Sequence, residues 1–113
     1  MHELSIAREI VNIALRKGEE AGASRIESVR VRIGEFTAVE PDCLRLYFGA
    51  LTEGTLADGA ALKAEIVPLR AVCPACDQPF TPEALCFRCP GCGSPDISIT
   101  SGRELYVESI EVT

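Results

Sequence analysis

Cys73-Pro74-Ala75-Cys76 and Cys89-Pro90-Gly91-Cys92, separated by twelve residues, decide how this chain is divided. Two Cys-x-x-Cys knuckles can bring four thiolates to one point, a closed tetrahedral shell of the kind zinc occupies structurally. The stretch around them, residues 69–102, holds five of the six cysteines and five of the seven prolines, with too few large apolar residues for a core of its own. Metal must therefore organise it, as in small zinc modules whose apparent binding energies run to about 10–16 kcal/mol.

Cys86-Phe87-Arg88-Cys89 offers a third frame of the same spacing. Pro90-Gly91 between Cys89 and Cys92, with Gly93 behind them, permits the tight turn in which backbone N–H groups face the sulfurs, so the expected zinc ligands are Cys73, Cys76, Cys89 and Cys92. Cys86 is then a nearby free thiol. A tetrathiolate also suits iron, and a rubredoxin-like carrier is the rival reading. Against it, such sites use two glycine-flanked knuckles, whereas Asp77 follows the first knuckle here.

On both sides of this stretch the chain alternates. Leu62, Ala64 and Ile66 interleave with Lys63 and Glu65 up to Pro68, and Arg103 to Val112 alternates again. The apolar phase slips between Val107 and Ile110, which predicts a bulge near Ser109. Further upstream, Leu4, Ala7, Val11 and Ala14, widened by Ile6, Ile10 and Ile13, predict a helix ending between Gly18 and Gly22. Arg25 to Ile33 has period two, with Val29, Val31 and Ile33 on one face and Ser28, Arg30 and Arg32 on the other. Pro41 suits a first helical position, and Leu44, Tyr47, Phe48 and Leu51 follow at helical spacing, with Gly54 as a stop. Cys43 on this second helix reads as a small core residue. The sum is an α+β fold: two helices packed on a three-stranded sheet, with an inserted tetracysteine zinc-ribbon module. The expected division is residues 1–68 plus 103–113 as one domain and 69–102 as the zinc-binding domain.

Charge and composition narrow the partners. A formal net charge of −6, no Trp, two Tyr and four Phe leave neither a basic stripe nor aromatic platforms for nucleic acid. The N-terminus has no long apolar run and no small-residue cleavage site, so neither a secretory signal nor a membrane span is expected. Paired knuckles without an export signal fit a reducing compartment, and the expected location is cytoplasmic. The only histidine has no identifiable nucleophile partner and no phosphate-cradling glycine motif is present, so no enzymatic activity is expected.

That histidine is residue 2. A bulky second residue is expected to leave Met1 in place, so the Met1 α-amine, the His2 amide and the His2 imidazole can form fused chelate rings. Three nitrogens in a plane suit a tetragonal ion such as Ni²⁺ or Cu²⁺, and Glu3 is the nearest fourth donor.

Met1-His2-Glu3-Leu4-Ser5, Ile33-Gly34-Glu35-Phe36 followed by Val39-Glu40-Pro41, and the two Cys-Pro-x-Cys knuckles together resemble the HypA/HybF hydrogenase nickel-incorporation family over the whole chain. The resemblance implies a nickel metallochaperone that carries Ni²⁺ to the [NiFe]-hydrogenase large-subunit precursor, works with a HypB-type maturation GTPase and holds Zn²⁺ structurally. It makes residues 1–68 plus 103–113 the nickel-binding domain, with His2 as the essential nickel ligand, Glu3 beside it, and Glu40 at a position where the family carries an acid near the nickel. Cys86 lies outside the motif. Supply to urease, and a monomer or a homodimer as the working state, are left open.

Overall fold

The apolar stripe beginning at Ile6 winds into α1 (Glu3–Glu20), which buries Ile6, Ala7, Ile10, Val11, Ala14 and Gly18 along one side. The computed structural model describes residues 3–82 and 87–113. Leu4, expected in the stripe, is 39% exposed because it lies at the N-terminal end of the helix, before the packed turns begin. The chain then enters β1 (Ile26–Gly34), a 3-10 turn at Glu35–Thr37, and α2 (Pro41–Leu51). Glu40 caps α2 from the N-cap position, its side chain accepting from the Asp42 N–H, and Pro41 opens the helix where its missing N–H is not needed.

β2 (Ala61–Val67) returns parallel to β1, and β6 (Leu105–Val112) lies antiparallel on the other side, giving the sheet order β2-β1-β6. Central β1 buries Val29, Val31 and Ile33 almost completely beneath the helices. In β6, Val107 faces Val31 and Ser109 faces Arg30, so Glu108 is the extra residue of a bulge. The slip in apolar phase expected near Ser109 has this origin. Ser28, read as facing outward, is instead 6% exposed and donates its Oγ–H to Glu111 at 3.0 Å. A second register shift, between Ile26 and Ser28, accompanies that departure from simple alternation.

The stretch from Leu69 to Gly102 carries strands of its own. β3 (Arg70–Cys73) pairs antiparallel with β4 (Gln78–Phe80) and with β5 (Ser98–Ser101), forming a second three-stranded sheet in the order β4-β3-β5. The whole is elongated, 55 × 24 × 16 Å, with a radius of gyration of 17.6 Å. A compact chain of this length would have about 13 Å, so the two sheets form separate lobes.

Where they meet, the backbone is tightly opposed. The Phe36 N–H donates to the Gly102 carbonyl at 2.8 Å, Leu69 N–H donates to the Glu35 carboxylate at 3.3 Å, and the Phe36 ring stands edge-on to Phe87 at 5.6 Å. A methyl group at Gly34 would collide with the backbone of Gly102 and Arg103, and one at Gly102 would lie 2.7 Å from the Leu69 Cα. Gly102 also has φ +108, a conformation only glycine adopts without strain.

Candidate metal centre

β3 runs into the first knuckle: Cys73 is its last residue and is fully buried. The chain turns through Pro74, Ala75 and Cys76, and the Asp77 N–H donates back to the Cys73 carbonyl at 2.7 Å. The second knuckle repeats the turn, with the Gly93 N–H donating to the Cys89 carbonyl at 2.8 Å. Both closing residues are left-handed, Asp77 at φ 53 and Gly93 at φ 73. The turn thus demands a positive φ, which glycine meets freely and aspartate tolerates better than most residues. The Cys89 N–H donates to the Ser94 carbonyl at 3.0 Å and completes the second loop.

These turns bring the sulfurs of Cys73, Cys76, Cys89 and Cys92 within 4.8 Å of one another, with 3.7 Å between Cys73 and Cys92 and 3.8 Å between Cys76 and Cys89. A tetrahedron of metal–sulfur bonds of about 2.3 Å has edges of about 3.8 Å, so the donor set fits Zn²⁺ in both chemistry and size. Gly91 lies over the cage, its N–H donating to the Cys89 sulfur at 3.3 Å. The Cys92 and Gly91 amides at the Cys89 sulfur lower that thiol to about 7. Hydrogen bonds to the neighbouring sulfurs of Cys92, Cys89 and Cys73, helped by burial, hold the proton on Cys76 and push its thiol up to about 12.

The other residues singled out in the sequence fall as follows. Met1, His2 and Cys86 lie outside the described residues. Glu3 is the first residue of α1, and exposed Glu40 has one carboxylate oxygen at the Asp42 N–H, 3.3 Å away. Cys43 is not a core residue: it is exposed, because α2 turns Leu44 and Phe48 inward and leaves Cys43 on the outer side. Glu35 and Phe36, noted in the sequence only as part of a motif, and Phe87, not noted there, tie the cage-bearing lobe to the first sheet. Their signal exists only in three dimensions, since Glu35 and Leu69 are 34 residues apart.

Fold and site define a two-lobed metal-handling protein: an α+β lobe of two helices on one sheet, and a ribbon closed around four thiolates. The chain belongs to the HypA family, described as hydrogenase/urease nickel incorporation metallochaperones, whose model matches residues 1–112. It is 46% identical over 112 residues to the hydrogenase maturation factor HypA of Chloroflexus aggregans, covering 98% of each chain. It is 42% identical to that of a Picosynechococcus species, covering 99% of each. Among solved structures, the solution structure of the Ni metallochaperone HypA from Helicobacter pylori superposes with a TM-score of 0.67 at 29% identity, over 99% of this chain and 97% of that one. A second solution structure of HypA protein gives 0.74 at 29% identity, over 100% and 97%. Among the described residues no helix is long and apolar enough to cross a membrane.

Proposed function

We propose that this chain is a carrier and not an enzyme. It takes Ni²⁺ at its N-terminus through the Met1 α-amine and the amide and imidazole of His2, with Glu3 and Glu40 as oxygen donors nearby. It passes the ion, in the cytoplasm, toward the [NiFe]-hydrogenase large-subunit precursor with the help of a HypB-type GTPase. Cys73, Cys76, Cys89 and Cys92 hold a structural Zn²⁺ in a domain of residues 69–102, and residues 1–68 plus 103–113 form the nickel-binding domain. The observation that carries this reading is that the match to the nickel-incorporation family begins at residue 1, so Met1-His2-Glu3 falls within the matched segment. The cage supports the division of labour: four thiolates leave a tetrahedral metal no open position for exchange. Glu40 supports it too, since its cap bond to Asp42 uses one oxygen and leaves the other for a ligand.

The test is calorimetric titration with Ni²⁺ of untagged protein, of protein with a tag fused ahead of Met1, and of His2→Ala. Both changes are expected to remove tight binding, one by converting the amine to an amide and the other by removing the imidazole. Binding displaces protons from groups of ordinary pKa about 6.5 and 7.7–8.0, so affinity falls as pH drops through that range while zinc stays bound. Unchanged affinity in His2→Ala would overturn the reading.

A further inference from the structure

The four sulfurs of the cage are not equally reachable. Cys73, the last residue of β3, is fully buried, and Cys89 is 4% exposed. Cys76 is half-buried, and Gly91 lies over it and over Cys89: a Cβ at Gly91 would stand 3.9 and 3.7 Å from the two sulfurs. Of the four residues only Cys92 is exposed. A small electrophile diffusing from water therefore meets the cage at one corner, and a thiolate, the reactive form of cysteine, waits there.

Geometry also sets what that sulfur reacts with next. A thiolate oxidised by a peroxide becomes a sulfenic acid, which condenses with a thiol close by. The Cys73 sulfur stands 3.7 Å from that of Cys92, across the gap between the two knuckles. A disulfide needs about 2.05 Å. The second knuckle can close the gap, because Cys92 sits at the surface between Gly91 and Gly93 while Cys73 is fixed in β3 opposite Gln78. Cys89, in the same knuckle as Cys92, is the competitor. Its sulfur already accepts the Gly91 N–H at 3.3 Å and lies 3.8 Å from Cys76, so the cage divides into two pairs that each span the knuckles.

We propose that the cage is a peroxide-sensitive site with one entrance: Cys92 is oxidised first, it joins Cys73 in a disulfide across the knuckles, and the zinc proposed for the cage is released. In the first step the Cys92 thiolate takes one oxygen of hydrogen peroxide, the O–O bond breaks, and the departing hydroxide gains a proton from solvent to become water. In the second the Cys73 thiolate attacks the Cys92 sulfur, the S–O bond of the sulfenic acid breaks, and its hydroxide leaves as a second water. Two thiolates lose two electrons and the peroxide gains them. Cys76 and Cys89 then remain, too few donors to close a tetrahedral shell. The proposal rests on the zinc reading of the cage and not on the nickel site.

The test uses the full chain with Cys43→Ser and Cys86→Ser, so that only cage thiols react. Metal analysis before oxidation checks the zinc reading by itself, and a chain without zinc at that point would refute it. Hydrogen peroxide is then added below one equivalent, zinc release is followed with a chromophoric chelator, and disulfides are mapped by mass spectrometry. Cys73 and Cys92 should be the first linked pair, with zinc lost in step, and Cys76 with Cys89 should follow only as more peroxide is added. Cys73→Ser removes the second sulfur, so a sulfenic-acid trap such as dimedone should label Cys92 several-fold more than in the parent. Because that change also loosens the cage, early trapping in the parent is the second reading, and there the label should fall on Cys92 before Cys76 or Cys89. A first disulfide of any other pairing, first labelling at another cage sulfur, or zinc retained by the oxidised chain would overturn the proposal.

Discussion

Two sheets of three strands each lie in one chain, and they cohere for different reasons. In the first, Val29, Val31 and Ile33 are at most 1% exposed beneath two helices, and Phe48, Leu44 and Ile10 fill the space between layers. In the second, among the described residues, no helix covers β3, β4 and β5, and the buried apolar residues are few: Leu69, Ala71, Cys73 and Cys89. A sheet that small buries too little apolar surface to offset its backbone entropy. The first lobe folds by excluding water; the second gathers four thiolates where a bound cation would supply what its small core lacks.

Removing the zinc proposed for the cage should make the largest difference. Stripping zinc with a strong chelator, or replacing Cys73 by Ser, is expected to collapse the amide dispersion of β3, β4 and β5 while β1, β2 and β6 keep theirs. Simultaneous loss of both sets would break the comparison. Phe48→Ala is the mirror experiment: deleting a core ring that is 2% exposed should cost about 3–5 kcal/mol in the first lobe, read as a lower denaturant midpoint. Zinc should stay bound in that variant, and its release at the same midpoint would show that the lobes are one cooperative unit.

A smaller effect separates the two knuckles. Gly93→Val forces a branched side chain to φ 73 and should weaken zinc retention by about 1–2 kcal/mol, measured by competition with a chelator. Asp77→Gly relieves a lesser strain and should shift retention by less than about 1 kcal/mol. Equal losses would mean that the second loop does more than hold a left-handed turn.

The subtlest effect is in the order of thiol chemistry in metal-free protein. In the fraction of metal-free protein that keeps its knuckle turns, Cys89, held low by the Cys92 and Gly91 amides, should alkylate ahead of Cys76, which the neighbouring sulfurs push up. The linkage runs in the same direction. A thiol whose folded pKa is lowered stabilises the metal-free loop above its ordinary value, and that contribution fades as pH falls through about 7. Peptide mapping after brief alkylation checks the order, and early modification of Cys76 would contradict it.

The first lobe was largely legible in the sequence because its patterns are long: α1 repeats its stripe over several turns, and even the bulge at Glu108 left its mark as a slip between Val107 and Ile110. The second lobe's strands were not legible. Gln78–Phe80 is three residues long and Ser98–Ser101 is mostly polar, so neither displays a period. Cys43 was misread because α2 carries apolar side chains on two sides, with Leu46 and Tyr47 exposed beside it, and spacing alone does not say which side is buried. The thiolate cage was legible through its spacing, since knuckle turns are local. The contacts of Glu35 and Phe36 with the second lobe depend on residues distant in sequence and left no local trace.

The close approach of Gly102 to Leu69 has a consequence for how the chain is made. β6 leaves the ribosome after the whole cysteine lobe, yet it must complete the first sheet against β1. Until then β1 has an open side and the intervening residues 69–102 are a loop whose ends must find each other, at an entropic cost of about 3 kcal/mol for that length. Capture of a metal by the two knuckles orders the lobe in which Leu69 and Gly102 touch, so the search ends before β6 arrives. Metal capture during synthesis would thereby shorten the closing of the first sheet, although the finished sheet is held by its own core.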